Sequence, residues 1–183
     1  MFLSSPAPRW TPLAWVLGGG AVLIGALSLA TAGGARPLLL WNRTASEPEG
    51  LYLRQAAPVR VGALVAFPAP SAAFPYADGH MSYLRRVPVL KSVAAVSGDQ
   101  VCTDYGRLVI NRRVRAPILR QDRRGASLPR WNGCRQLRDG EVFVFSDRIP
   151  NSFDSRYFGP VSRAEIVGVF RPLALSLSHP GDR

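Results

Sequence analysis

Ser46 lies in the stretch Asn42-Arg-Thr-Ala-Ser46-Glu-Pro48-Glu-Gly50-Leu-Tyr52, where Pro48 and Gly50 make a stiff turn at the head of a strand. Such a turn can hold a serine hydroxyl in the open and leave its backbone N–H unpaired, which suits a nucleophile beside an oxyanion donor. On their own, the five residues from Ser46 to Gly50 read more readily as a polar turn between two apolar segments. The turn alone does not decide between these readings.

A second residue stands out by its rarity. Of the 23 Lys and Arg residues, 22 are Arg and only Lys91 is Lys. Arginine would have served for surface charge, whereas lysine can lose its proton on burial: its reference pKa is about 10.4 and falls on desolvation, while guanidinium stays charged. Lys91 is set among Val89, Leu90, Val93, Ala94 and Ala95, the apolar surroundings that such a shift requires. A chance survivor of codon bias is the alternative. If Ser46 and Lys91 meet, the neutral amine can take the hydroxyl proton and no histidine is needed.

Other chemistries lack parts. The only histidines are His80, in a loop of uncertain structure, and His179, near the C-terminal end, so a Ser-His-Asp triad has little to draw on. No His/Asp/Glu cluster has metal-ligand spacing, no phosphate-binding motif occurs, and no cofactor is expected. The formal net charge of +11 invites a polyanion. Yet the densest basic stretch, Arg112 to Arg124, has no interleaved aromatic residue for base stacking, so no nucleic-acid partner is expected and a surface near lipid headgroups accounts for the charge.

The elements that must position these residues follow from the apolar pattern. From Trp10 to Ala35 there is no charged side chain, and about 20 such residues span a bilayer as a helix. A transmembrane anchor is expected over 12–35, after a short cytoplasmic segment over 1–11. A cleavable signal peptide competes, because Ala30-Thr31-Ala32 is a small-residue site, but the apolar stretch exceeds the roughly 7 to 15 residues of a signal core. Arg9 argues for the N-terminus inside and Arg36 against.

Beyond the anchor, short apolar or alternating runs predict strands at Leu38 to Trp41, Leu51 to Leu53, Val61 to Phe67, Arg85 to Val96, Gln100 to Thr103, Leu108 to Asn111, Glu141 to Phe145 and Glu165 to Phe170. Pro75, Asp78 and Gly79 mark a loop, with a short helix around Met81 to Leu84, and Pro88 places the first part of its strand at an edge or bulge. Residues 112–140 hold most of the arginine and read as an excursion outside the core. The fold class is therefore mainly β, a β-rich domain over 36–175 with one N-terminal transmembrane helix and a tail over 176–183. Cys102 and Cys134 flank the excursion; in an oxidising compartment they are a disulfide candidate, and elsewhere two free thiols.

Three ordered blocks carry a resemblance: Asn42 to Tyr52; Leu90-Lys91 followed by Gly98-Asp99; and Asn151-Ser152-Phe-Asp154-Ser155-Arg156-Tyr-Phe-Gly159-Pro160-Val161. Together they resemble the bacterial type I signal peptidase superfamily, most of all its conjugative-transfer branch, the TraF-type peptidases. The resemblance runs from about Leu38 to Pro172 and implies roles. Ser46 would be the nucleophile and Lys91 the general base; the Ser46 N–H, helped by the Thr44 hydroxyl, would form the oxyanion hole. Ser152 would hydrogen-bond and orient the lysine amine, and Asp154 and Arg156 would form a supporting ion pair. The family fold implies a signal-peptidase-like β-rich catalytic domain whose substrate binds as an extended strand beside the lysine-bearing strand. The sequence departs from general leader peptidases in its single apparent span and in Glu47, where they commonly carry an apolar residue.

The expected protein is a single-pass inner-membrane serine endopeptidase with its catalytic domain in the periplasm. Its partners would be membrane lipid, an exported pilin-like precursor and other conjugation-apparatus proteins. A general leader peptidase, a non-catalytic basic scaffold of a membrane export complex, and a nucleic-acid-binding module with an anchor are the alternatives.

Overall fold

Runs of β-branched and aromatic residues broken by proline and glycine favour extended chain, and the computed structural model, which describes residues 36–74 and 76–173, is mainly β. The anchor expected over 12–35, the segment before it, the tail over 176–183 and Pro75 lie outside the described residues. Among the described residues no helix is long and apolar enough to cross a membrane.

Eleven strands are present among the described residues: β1 (Leu39–Asn42), β2 (Gly50–Gln55), β3 (Leu64–Phe67), β4 (Val89–Val96), β5 (Gln100–Cys102), β6 (Arg107–Ile110), β7 (Arg113–Pro117), β8 (Cys134–Gln136), β9 (Glu141–Val144), β10 (Val161–Ser162) and β11 (Gly168–Pro172). Two short helices, α1 (Tyr76–His80) and α2 (Ser155–Phe158), complete the regular structure together with 3-10 turns. A seven-stranded sheet runs β1-β2-β11-β3-β4-β9-β10, and a four-stranded sheet runs β7-β6-β5-β8, with every pairing antiparallel.

β4 is the shared spine. Val89 and Val93 join one apolar cluster, Ala94 and Ala95 a second, and Leu90 a third with Tyr52, Ala66 and Phe170. The two-residue period puts Lys91 on the face of Val89 and Val93, so its stem enters apolar surroundings. A bulge between Val93 and Ala95 then reorients the strand.

The edges of β4 are unequal. β3 pairs with it from Val89 to Ser92, whereas β9 begins on the opposite side only at Val93. Val93 N–H bonds back to Ala63, so by alternation the N–H and C=O of Leu90 and Ser92 face away from β3. Phe145 N–H donates to the Ser92 carbonyl, and the edge beyond it, at Leu90, carries no strand among the described residues.

Three sequence expectations need correction. The loop marked by Asp78 and Gly79 is the short helix α1, which buries Ala77, and the helix expected around Met81 to Leu84 is a 3-10 turn. The strand expected from Arg85 begins at Val89, because Ser82–Arg85 is a 3-10 turn and Pro88 has no N–H for a ladder. The excursion over 112–140 is partly structured: β7 and β8 lie in it, and Ile118 and Leu137 are buried in the second cluster. Asn111 and Arg112, both at positive φ, make the tight turn from β6 to β7. Cys102 faces Cys134 across the β5–β8 pair, and the two form a disulfide.

Candidate active site

The stretch from Asn42 to Tyr52 is a built turn. Asn42 is buried between β1 and the turn, and its Nδ2 donates to the carbonyls of Thr44 at 2.9 Å, Glu47 at 3.0 Å and Pro48 at 2.9 Å. Its Oδ1 accepts from Thr44 N–H at 3.1 Å and from the Thr44 hydroxyl at 2.8 Å. Tyr52 O–H donates to Pro48 C=O at 2.6 Å, closing the turn onto β2. A side chain bonded to backbone groups on both sides of Ser46 fixes the local conformation without strand pairing.

Ser46 and Lys91 meet. Lys91 Nζ lies 2.6 Å from Ser46 Oγ and 3.2 Å from the Leu90 carbonyl, and Lys91 is 5% exposed. Burial holds the amine below the ordinary lysine range, against the opposing pull of the Asp154 and Glu47 carboxylates. Ser46 N–H has no hydrogen-bond partner among the described residues. Thr44 Oγ1 stands 3.3 Å from Ser46 Oγ, with its proton directed to Asn42 Oδ1.

Behind the serine, the Ser146 hydroxyl donates to the Ser46 carbonyl, and Ser146 N–H reaches Asp154 Oδ2 at 3.4 Å. Asp154 and Arg156 form a buried ion pair: Nε donates to Oδ1 at 2.8 Å and Nη2 to Oδ2 at 2.9 Å. Asp154 also caps α2 by accepting from Arg156 N–H. The guanidinium further donates to the carbonyls of Ser152 and Pro117, each at 2.9 Å. Gly159 ends α2 at φ 82 and ψ −173, a conformation open essentially to glycine, and a Cβ there would stand 2.8 Å from Trp131 Cδ1.

One expected contact is not made. Ser152 Oγ is buried and hydrogen-bonds nothing, so the bond to the lysine amine implied by the resemblance is not formed in this conformation. The residue is held through its backbone, because its carbonyl accepts from Arg156, while no hydrogen bond orients its hydroxyl. Ser152 does line the same cavity as Ser46 and Lys91.

That cavity, of about 700 Å³, opens along the free edge of β4 and is walled by Trp41, Tyr83, Val87, Val89 and Phe153. His80 lies elsewhere: it stacks on Tyr76 and stands 3.9 Å from Asp122. No cluster among the described residues has the make-up of a metal site. Sequence reasoning missed Asn42, Ser146 and the contacts of Glu47. Only Asn42 carried a signal, as a polar residue ending an apolar strand just before the turn.

The sequence profile of the family described as signal peptidase, peptidase S26, matches residues 16–173. The chain is 36% identical to the plasmid transfer protein TraF of Escherichia coli over 174 residues, 86% of this chain and 92% of that one. It is 33% identical to the conjugal transfer protein TraF of Agrobacterium tumefaciens (strain 15955) over 169 residues, again 86% and 92%. A crystal structure of a signal peptidase I from Enterococcus faecalis V583 aligns over 63% of this chain and 98% of that one, with 24% identity and a TM-score of 0.38.

Proposed function

The chain belongs to the signal peptidase family, peptidase S26, and from that premise we propose that it is a membrane-anchored serine endopeptidase in which Ser46 is the nucleophile and Lys91 the general base. The observation that carries the reading is the 2.6 Å approach of a desolvated lysine amine to a serine hydroxyl at the wall of an open groove. When the amine is neutral, the Ser46 hydroxyl donates to its lone pair, which makes the oxygen a nucleophile at the moment of attack.

The substrate would lie extended along the free edge of β4, where Leu90 offers its N–H, with its scissile carbonyl over Ser46 Oγ. Attack forms a tetrahedral intermediate whose oxyanion is met by the unpaired Ser46 N–H and by the Thr44 hydroxyl, once that rotates off Asn42. The Lys91 ammonium returns its proton to the leaving amine, and the acyl-enzyme is released by water activated on the same lysine. Asp154, Arg156 and Ser146 support the nucleophile from behind. Relatives named as plasmid or conjugal transfer proteins favour a pilin or another component of a conjugation or type IV secretion apparatus as the precursor. The catalytic domain would face the periplasm from a single inner-membrane span.

Cells carrying Ser46→Ala are expected to accumulate one uncleaved exported precursor, identifiable by mass spectrometry of the membrane fraction. Normal maturation of every exported protein in those cells would sink the peptidase reading. The acid side of the pH–rate profile tests the base. The reactive form is the neutral amine, so kcat/KM should rise with pH through the Lys91 pKa, with a midpoint below the ~10.4 of free lysine. A rate that keeps rising up to that value would contradict the burial argument.

A further inference from the structure

Glu47 follows the nucleophile, is buried, and has no place in the steps just described. Its Oε1 accepts from Ser92 N–H at 3.0 Å and from the Ser92 hydroxyl at 3.1 Å. The register makes this bond informative. With Val93 opposite Val144, Ser92 and Phe145 should exchange both of their backbone bonds. Phe145 N–H does reach the Ser92 carbonyl, but Ser92 N–H goes to Glu47 instead of returning to Phe145 C=O. The carboxylate therefore stands where β9 would continue, and it ends the β4–β9 ladder one residue after Lys91.

We infer that Glu47 is a positioning residue that clips the turn carrying Ser46 to the strand carrying Lys91 and sets the distance between hydroxyl and amine. Two adjacent pairs then span one junction: Ser46 to Lys91, and Glu47 to Ser92. Without the clip, the one hydrogen bond left between the turn and β4 among the described residues is the one that must break and re-form in catalysis, and Ser146 holds the turn only from behind. The same carboxylate supplies negative charge beside the amine. The charged groups acting on Lys91 are Glu47, Asp154 and Arg156, and those acting on Glu47 are Lys91 and Arg148. Burial pushes the Glu47 carboxyl up, while the Ser92 bonds and the nearby Lys91 and Arg148 charges draw it back down.

This inference rests on the peptidase reading for its kinetic arm, but not for its spectroscopic one. Because Lys91 is the sole lysine, 13Cε-lysine labelling of the full chain in detergent micelles yields one side-chain resonance, whose titration reports this amine directly. The variants are Glu47→Gln, which keeps an acceptor and loses the charge, and Glu47→Ala, which loses both. Both should move the Lys91 titration to lower pH, because removing a carboxylate destabilises the ammonium. On a quenched peptide with alanine at the first and third positions before the cleaved bond, kcat should fall on the order of tenfold to a hundredfold for Glu47→Ala, less for Glu47→Gln, with KM little changed. Wild-type kcat and an unmoved resonance in Glu47→Gln would overturn the inference, and a fall in kcat with an unmoved resonance would reduce Glu47 to a packing residue. A wild-type chain that cleaves nothing would instead overturn the peptidase reading, leaving the resonance to judge the clip.

Discussion

Lys91→Met should abolish precursor processing while leaving the thermal transition of the full chain where it was or higher. The two halves of this result have separate causes. Removing the amine leaves the Ser46 hydroxyl with no other base within reach among the described residues, since His80 makes its contacts with Tyr76 and Asp122. General-base assistance is worth roughly 10²- to 10⁴-fold in rate, so kcat/KM should fall by about that factor. Stability should behave differently. An amine buried on the face of Val89 and Val93 is desolvated at a cost, which methionine, similar in length and apolar, avoids. Lys91→Arg separates charge from basicity: guanidinium keeps the positive charge but cannot give up its proton, so processing should be lost in that variant too. Maturation of the precursor at the normal rate in either variant would remove Lys91 from the mechanism.

The lone lysine was legible because its rarity and its neighbours are both local facts of sequence. Apolar residues on either side of position 91 predict a buried strand, and burial is what moves an amine toward neutrality. The strands of the larger sheet were legible for the same reason, since β3, β4 and β9 are built mostly from Val, Leu, Ala and Phe. β7 was not legible: its short Arg-Val-Arg-Ala alternation sits inside the arginine-rich stretch, Arg113, Val114 and Arg115 are all exposed, and the strand exists by pairing with β6 rather than by burying a face. The surroundings of Ser46 were hidden by distance along the chain. Glu47 meets Ser92 45 residues on, and the Ser46 carbonyl meets Ser146 100 residues on. Such partners depend on where the turn docks, which no local pattern encodes. Ser152 shows the opposite limit. A motif can assign a residue to the cavity, but the direction of a free hydroxyl is set by the packing around it.

Asp154→Asn should be the most destabilising conservative change in the domain. Asparagine matches aspartate in shape and can still cap α2, so little packing is lost. What it removes is the only negative charge bonded to Arg156 among the described residues; Arg156 is 1% exposed and otherwise meets the carbonyls of Ser152, Pro117 and Pro150 and the rings of Phe145 and Tyr157. Leaving a buried charge uncompensated costs about 3–5 kcal/mol, which for a domain of this size corresponds to a fall in the melting temperature of roughly 10 °C or more. The exposed pair of Arg85 with Asp78 has similar bidentate geometry, yet water screens both partners, so Asp78→Asn should hardly move the transition. A thermal melt of the two variants side by side separates burial from geometry as the cause. The double variant Asp154→Leu with Arg156→Met then tests the mechanism of the loss. If the single variant is destabilised by an orphaned charge, removing the charge as well should restore much of the lost stability. Activity should not return with it, because Asp154 also accepts from Ser146 N–H, and Ser146 holds the carbonyl of the nucleophile. A double variant that regains both stability and turnover would show that the ion pair supports the fold alone and that the path from Asp154 through Ser146 to Ser46 carries nothing.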